Sequence, residues 1–362
     1  MGSDSRTARA WTWALPVAAL LGLAVATTGR DGVPFIALYS VALIGAIVGS
    51  VHHAEVIAQR IGEPFGTLVL SLSITIIEVA LIVTMLRWGG REHGALPRDA
   101  IFATVMIACN GLVGLSLVVG ALKHHVQEFH VLGANASLAT LMALTTLTLV
   151  LPTFTTSSPG RTYTDAQLLF ASVASIALWL AFVFVQTVRH RDYFLPVNDP
   201  GEPDGSPLRP RALHAAISCV LLLGSLLAVV GLAHALAPSV ERGLTYVGAP
   251  RGTVSIAIAF LTLMPECWAA IRAAFANRIQ TSLNLSIGSA LASIGLTIPA
   301  VAVSSKLLGV PLELGLGSKD LALLVLTFVV ASVTLVAGRT HLLQGFVHLT
   351  IFAAFLFFSL VP

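Results

Sequence analysis

The chain has 362 residues, of which 56% are apolar and only 10% are charged, and its mean hydropathy is +0.90. A typical soluble domain carries about 25% charged residues, so this chain has too few to cover a soluble core of its size. The net charge is +3, but the basic residues are scattered singly through the loops, without interleaved aromatic residues. The composition therefore excludes a soluble protein, argues against nucleic-acid binding and makes the lipid bilayer the expected solvent.

Eleven apolar stretches are long enough to cross a bilayer, which takes about 20 residues of helix. Loop sequences rich in Gly, Pro and charged residues separate them. The first stretch has no A-x-A-like cleavage site before Arg30, so we expect a retained helix and not a signal peptide. The predicted spans are 11–28, 34–58, 66–86, 99–122, 131–152, 166–187, 212–236, 246–271, 281–305, 320–337 and 342–361.

The longest polar segment, 189–211, contains acidic residues together with Pro and Gly, and we interpret it as a linker. It separates two groups of five spans, 34–188 and 212–362, while residues 1–33 hold the N-terminal tail and one extra helix. Because five is an odd number, equivalent helices cross the membrane in opposite directions, as in the inverted repeats of many secondary transporters. We predict an all-α integral membrane protein with about eleven transmembrane helices, one extra N-terminal helix and two inverted five-helix repeats.

Two carboxylates lie where lipid disfavours charge, Glu78 in the third span and Glu266 in the eighth. An ionisable residue near the bilayer centre costs about 3 kcal/mol on insertion scales, and such residues usually face a bundle interior or a wet cavity. A protonated glutamate that hydrogen-bonds to a neighbouring helix is the alternative reading. The similar surroundings of the two residues favour a shared functional role.

Hydroxyl groups accompany each carboxylate at helical spacing. In the third span three polar residues share one face, and they are Ser71, Thr75 and Glu78. In the eighth span Thr262 precedes Glu266 by one turn, and Pro265 frees a backbone carbonyl beside the carboxylate. A bound cation can be the partner of that carbonyl, so both spans are candidates for one cation site.

The next span of each repeat adds further candidate ligands. Asn110 lies in the fourth span, and the ninth span carries a stripe of hydroxyls that comprises Ser286, Ser289, Ser293 and Thr297. Gly288 and Ala292 suggest close helix approach there. Packing by small residues explains the stripe as well as a direct role in the site does, and the two explanations are compatible.

Paired carboxylates with hydroxyl and carbonyl groups, and no soft ligands, suit a hard cation such as Ca²⁺. Two negative charges balance one Ca²⁺, and without the cation the two carboxylates repel each other and take up protons. Alternating occupancy by two protons or one Ca²⁺, combined with alternating access, is Ca²⁺/H⁺ antiport. Na⁺(K⁺)/H⁺ antiport at the same site is the alternative, and a passive cation channel is a third function from a different class.

No enzyme is predicted, because the sequence shows no nucleophile–base pair and no zinc motif. No cofactor is predicted either, and the expected partners are the lipid bilayer and inorganic cations. Arg and Lys are slightly more frequent in the loops on the N-terminal side. We therefore expect a multi-pass protein of the cell (inner) membrane with a cytoplasmic N-terminus. The sequence does not indicate an oligomeric state.

Secondary candidates lie near the ends of the second and third spans. His52, His53 and Glu55 stand at the inner end of span two, where they fit a gate or proton relay, or else interfacial residues. Glu63 precedes span three and fits a helix cap first and a gate second. His348 lies within the last span, where helix packing is the simpler interpretation.

Six motifs carry a resemblance to a known family. They are G-E-P-F-G-T-L at 62–68, L-S-L-S-I-T-I-I-E-V at 70–79, P-E at 265–266, N-R-I-Q-T-S-L-N-L at 277–285, G-S-A-L-A-S-I-G-L-T at 288–297 and G-R-T at 338–340. Over about residues 35–360 the chain resembles the bacterial calcium/proton antiporters of the ChaA type, in the cation/proton exchanger branch of the calcium:cation antiporter superfamily.

The resemblance implies eleven spans with an extra first helix, and it implies that Glu78 and Glu266 bind the cation and the protons. Related exchangers carry Gly-Asn-x-x-Glu around each key glutamate, whereas this chain has Ile74-Thr75-Ile76-Ile77 and Thr262-Leu263-Met264-Pro265 before them. The amide ligand is absent from both motifs, which bears on ion preference. ChaA-type proteins are also associated with Na⁺/H⁺ and K⁺/H⁺ exchange.

Overall fold

The computed structural model describes residues 4–30, 32–61, 65–89, 94–197, 212–247 and 252–361. Within these ranges the chain is all-α, with one isolated bridge between Glu128 and Arg339 and no named strand. The helices follow the order of the predicted spans. They are α1 (Asp4–Ala26), α2 (Val33–Ile61), α3 (Phe65–Gly89), α4 (Leu96–His124), α5 (Val131–Phe154), α6 (Asp165–Arg189), α7 (Ala212–Val247), α8 (Gly252–Phe275), α9 (Ile279–Leu308), α10 (Ser318–Val336) and α11 (Leu342–Leu360).

Eight helices of the described ranges are long and apolar enough to cross a membrane. Helix α8 adds a ninth span if its two parts, Ser255–Met264 and Glu266–Phe275, count together across their 49° bend. The sequence places Pro265 at that break, and proline cannot donate the backbone hydrogen bond that continues a helix. The apolar part of α1, Trp11–Ala26, is shorter. The architecture is compatible with the eleven spans predicted.

Three helices of the described part of the chain contain a π-helical turn. These turns lie at Ile107–Leu112 in α4, Thr146–Val150 in α5 and Val185–Arg189 in α6. A π turn inserts one residue into the helical register and often occurs at functional sites. The turn in α4 is the one that concerns the candidate site, because Asn110 lies within it.

The chain packs as two units, 1–89 with 202–249, and 90–201 with 250–362. In the first unit α2 packs against α1, α3 and α7. A small apolar cluster joins α2, α3 and α7, and it comprises Val51, Ala54, Ile74 and Leu222. Packing units group helices by contact, whereas repeats relate them by symmetry, so the two inverted repeats stay a prediction.

In the second unit α4 is the innermost helix, with 83% of its most apolar stretch buried, followed by α9 with 67%. Helix α4 contacts α8, α9, α10 and α11. Its contact with α11 depends on glycines: a β-carbon added at Gly345 would lie 2.7 Å from Val118 Cγ2 and 2.9 Å from the Gly114 carbonyl oxygen. Such close approach is typical of membrane helices that pack through small residues.

The outer surface of this unit is apolar. On α6, large side chains are more than half exposed, and they include Leu169, Phe170, Val173 and Leu180. A helix with this face exposed is stable in lipid and would be an aggregation hazard in water. The surface therefore agrees with the composition in making the bilayer the solvent.

The loop before α6 anchors that helix. Thr164 forms a capping box with Gln167, which satisfies two backbone groups at the helix start. The Tyr163 hydroxyl donates a 2.6 Å hydrogen bond to the Leu147 carbonyl in the π turn of α5. Burial raises the pKa of Tyr163 to about 12, so the phenol keeps its proton over the physiological range.

Candidate cation-binding site

Glu266 is the centre of the candidate site in the second unit. Its side chain is 1% exposed and follows directly on the bend of α8. The Ser289 hydroxyl, on α9, donates a 2.9 Å hydrogen bond to Glu266 Oε1. A donor at this position stabilises the ionised carboxylate. The structure thus brings together two of the residues that the sequence singled out.

Thr262, one turn before Glu266, is buried, and its hydroxyl donates to the backbone of its own helix at Ile258 (3.0 Å) and Ala259 (3.1 Å). That bond occupies the hydroxyl proton and leaves the oxygen lone pairs able to accept or to coordinate. Thr262 is therefore arranged as an acceptor, which is the role that a cation ligand requires.

The hydroxyl stripe on α9 divides into two parts. Ser286 donates to the Ser282 carbonyl, and the Ser282 hydroxyl donates to Ser116 Oγ at 2.8 Å, which ties α9 to α4. Ser293 and Thr297 are buried, and their hydroxyls have no hydrogen-bond partner in the described part of the chain. Buried hydroxyls of this kind are normally satisfied by water or an ion.

Gly288 does not mediate the close helix approach that the sequence suggested. Among the described residues, a β-carbon added there would meet nothing within 4 Å, which contradicts this part of the packing interpretation. Gly295, two turns later, is the close contact instead, because a β-carbon there would lie 2.7 Å from Trp179 Cβ on α6. Helical spacing identifies the faces of a helix but not the neighbour on each face, so the sequence does not distinguish these two glycines.

Asn110 is fully buried, and both ends of its amide are engaged. Nδ2 donates to Thr327 Oγ1 on α10 at 2.9 Å, and Oδ1 lies 3.2 Å from His348 Nδ1 on α11. The side chain therefore links the π turn of α4 to the last two helices of the chain. An amide oxygen has two lone pairs, so one hydrogen bond leaves room for a second interaction.

In the first unit Glu78 and Thr75 lie on the buried face of α3, 3% and 4% exposed respectively, while Leu72 and Ile76 are exposed. The polar stripe predicted on this helix is therefore its inward face. Ser71 belongs to α3 by its backbone, but its side chain lies outside the described part of the structure.

The candidate gate residues lie at the end of α2. His53 is buried, with Nε2 2.9 Å from the Thr12 carbonyl oxygen and Nδ1 3.1 Å from the Ser218 hydroxyl. Since a carbonyl can only accept, Nε2 carries the proton and Nδ1 accepts from the serine, so the ring ties α2 to α1 and α7. His52 is half-buried and its ring centroid lies 4.9 Å from that of Trp11.

The two acidic gate candidates differ in how far the structure describes them. Glu55 is half-buried on α2, whereas Glu63 lies outside the described residues. Both stay predictions as gate residues.

The sequence is similar to those of known membrane transporters. It matches the sodium/calcium exchanger protein family over residues 32–188 and 217–361. The chain belongs to this family. A family of exchangers fits the prediction that the chain is a transporter and not an enzyme.

Two relatives extend over nearly the whole exchanger. The "putative ionic transporter y4hA" of Sinorhizobium fredii (strain NBRC 101917 / NGR234) is 42% identical over 356 residues, 97% of this chain and 96% of that protein. The "sodium-potassium/proton antiporter ChaA" of Escherichia coli (strain K12) is 33% identical over 346 residues, 94% of this chain and 93% of that protein. The resemblance to ChaA-type exchangers is thereby confirmed, and the chain is a multi-pass cation antiporter.

Solved structures share the fold at low sequence identity. Native YfkE superposes with a TM-score of 0.74 at 16% identity, covering 97% of this chain and 100% of that one. The "H+/Ca2+ exchanger CAX" superposes with a TM-score of 0.72 at 14% identity, covering 96% of this chain and 87% of that one. These likenesses confirm the all-α exchanger fold.

Two hydrogen bonds between distant helices do not follow from the sequence patterns. The bond of His348 to Asn110 joins residues 238 positions apart. The Ser116–Ser282 bond likewise joins residues 166 positions apart. An imidazole buried in an apolar span needs a polar partner, and Asn110 lies in another span, so pairs of polar residues in different spans are the sequence signal for this contact.

Proposed function

We propose that this exchanger is a Ca²⁺/H⁺ antiporter in which Glu78 and Glu266 bind the cation and the protons in turn. The observation that carries the proposal is the Glu266 carboxylate, 1% exposed at the bend of α8 and hydrogen-bonded by Ser289 at 2.9 Å. Thr75, Thr262, Ser71, Asn110 and Ser289 are the accompanying ligand candidates.

The chemistry follows from burial. An ionised carboxylate in an apolar interior is costly unless a positive charge accompanies it. A proton neutralises the group covalently, whereas a cation neutralises it by coordination, and one carboxylate oxygen cannot hold both. Exchange results when the site opens to one side of the membrane at a time, so that each opening replaces one occupant by the other.

The joint role of the two glutamates rests on the sequence. Each lies on the second helix of its predicted repeat, with a hydroxyl three or four residues earlier, at Thr75 and Thr262. Both carboxylates and both hydroxyls are buried. Inverted repeats place such equivalent positions near the membrane midplane, where secondary transporters bind their substrates.

Ca²⁺ is the preferred cation because two carboxylates balance its charge and oxygen atoms are its ligands. Na⁺(K⁺)/H⁺ antiport is the second candidate, favoured by the 33% identity to the sodium-potassium/proton antiporter ChaA. Either cation would use the same carboxylates. We further propose the cell (inner) membrane as the location, with the N-terminus in the cytoplasm.

The test is proton-driven uptake of ⁴⁵Ca²⁺ into everted membrane vesicles, comparing the wild type with Glu78→Gln and Glu266→Gln. The matched control is Glu128→Gln, the same chemical change at an exposed loop residue that pairs with Arg339 at 3.2 Å. We expect uptake in the wild type and the control, collapse by a protonophore, and no uptake in either site variant, while all four proteins insert equally.

The outcomes separate the candidates. Uptake at the wild-type rate in Glu78→Gln or Glu266→Gln would refute the proposed paired-carboxylate site. Absence of Ca²⁺ uptake in the wild type, with Na⁺ or K⁺ dissipating the pH gradient instead, would replace the first candidate by the second. Cation flux without proton counter-movement would indicate a passive channel.

A further inference from the structure

His348 forms the centre of a buried polar network in the second unit. The ring is fully buried on α11, with Nδ1 3.2 Å from Asn110 Oδ1 and Nε2 3.1 Å from Thr334 Oγ1. Asn110 continues the network to Thr327 on α10 at 2.9 Å. Four polar side chains on three helices thus share one set of hydrogen bonds.

The donor and the acceptor of each hydrogen bond in the network can be assigned. Thr327 donates its hydroxyl proton to the Leu323 carbonyl at 2.8 Å, so it accepts from Asn110 Nδ2. The amide oxygen therefore points at the imidazole, which makes Nδ1–H the donor and Nε2 the acceptor from Thr334. This sequence of donors fits the neutral ring in a single tautomer, with both ring nitrogens satisfied.

The surroundings of the ring are apolar. A cavity of about 10 Å³ adjoins it, lined by Cys109, Val113, Leu138, Ile287, Ala331, Thr334 and Leu335. Cys109 is the titratable side chain among these lining residues, and no carboxylate is among them. Hydrogen bonds in such a setting are strong and expensive to leave unmade, so removing the imidazole would leave the oxygen end of the Asn110 amide without this donor.

The π turn that carries Asn110 packs against the helices of this network and also against those of the candidate cation site. Asn110 belongs to the π turn Ile107–Leu112, which contacts α10 and α11 and also α8 and α9. Helices α8 and α9 carry Glu266 and Ser289. An amide that rotated by half a turn would exchange its oxygen for an NH₂ group, replacing a cation ligand by a donor that repels the cation.

We propose that His348 is a positioning residue that fixes the orientation of the Asn110 amide and thereby sets the affinity of the exchanger for its cation. One lone pair of Oδ1 accepts from the imidazole, and the other stays available for a cation. This inference rests on the proposed function, because Asn110 is a ligand candidate there.

The test compares His348→Leu with His348→Asn, purified and reconstituted into proteoliposomes. Asparagine keeps an N–H at the position of Nδ1 and preserves the bond to Asn110, whereas leucine fills the space without a donor. With whichever cation drives proton movement in the wild type, we expect His348→Leu to raise the KM for the cation about fivefold, with a maximal rate within about twofold of the wild type. His348→Asn should restore the KM to within about twofold of the wild type.

A second readout does not depend on transport. Hydrogen–deuterium exchange of the amides in 107–112 should accelerate in His348→Leu and stay at the wild-type rate in His348→Asn. A wild-type KM in His348→Leu, or equal protection of this segment in all three proteins, would overturn the proposal. So would a parallel loss of maximal rate and thermal stability in both variants, since that result indicates packing alone. Wild-type uptake in Glu266→Gln would instead overturn the proposed function.

Discussion

Replacing Ser289 by alanine removes a hydrogen-bond donor to the Glu266 carboxylate, a hydroxyl 2.9 Å from Oε1 on a neighbouring helix. Hydrogen bonds to charged groups are worth about 1.5–3 kcal/mol, and this loss falls on the ionised form of the glutamate. The protonated form can use its own O–H and loses less. At a fixed pH the balance between proton and cation therefore moves toward the proton.

The expected magnitude is a KM for the cation that rises about tenfold or more at neutral pH, since about 1.4 kcal/mol corresponds to a factor of ten. Because the cause is stronger competition by protons, raising the pH should return the KM toward the wild-type value. The assay is cation-driven proton movement in proteoliposomes, followed at several pH values with the maximal rate determined at each.

Ser304→Ala is the matched control, because Ser304 lies on the same helix and donates only to the Ala300 carbonyl one turn earlier. This variant should keep the wild-type KM. A wild-type KM for Ser289→Ala at every pH would refute the reasoning. An increase that persists at high pH would indicate that the serine oxygen ligates the cation directly and does not act through the carboxylate.

Three further predictions concern stability in detergent. Gly345→Ala should lower the free energy of unfolding by about 1–3 kcal/mol through overpacking, whereas Gly288→Ala, with open space at its β-carbon, should leave the thermal midpoint unchanged. His53→Leu breaks two hydrogen bonds that join α2 to α1 and α7, and should lower the thermal midpoint while retaining the helical circular dichroism signal. The pKa of Tyr163 is raised to about 12, so the stability that its phenol contributes is fully present below pH 10 and is lost as the pH rises to about 12. Tyr163→Phe should therefore lose less stability than the wild type over that interval. Equal losses would contradict a buried, protonated phenol at this position.

The helices could be predicted from the sequence because apolar length is a local property of the chain. The predicted spans 99–122 and 281–305 correspond to Leu96–His124 and Ile279–Leu308, with the charged ends of each helix extending beyond the apolar part. The π turns could not be predicted, since a single inserted residue leaves hydropathy unchanged and changes only which carbonyls are free.

The sequence predicts which residues of the candidate site share a face of one helix, but not which residues of different helices meet. Helical spacing placed Thr75 and Glu78 on one face, and the structure buries both. The same spacing could not pair Ser289 with Glu266, because the axial offset between two helices depends on how their side chains interlock. The orientation of the Asn110 amide depends on α10 and α11, which no local pattern connects with α4.

The burial of α4 affects how the protein assembles during its synthesis. Helix α4 leaves the ribosome early, yet Thr327 and His348, the hydrogen-bond partners of its Asn110, follow 217 and 238 residues later. At a synthesis rate of about 5–20 residues per second, the amide waits about 10–50 seconds for these partners. During this interval the Asn110 amide lacks the two hydrogen bonds that it forms in the complete structure. These bonds of the second unit therefore cannot both form until helix α11, which carries His348, has been inserted.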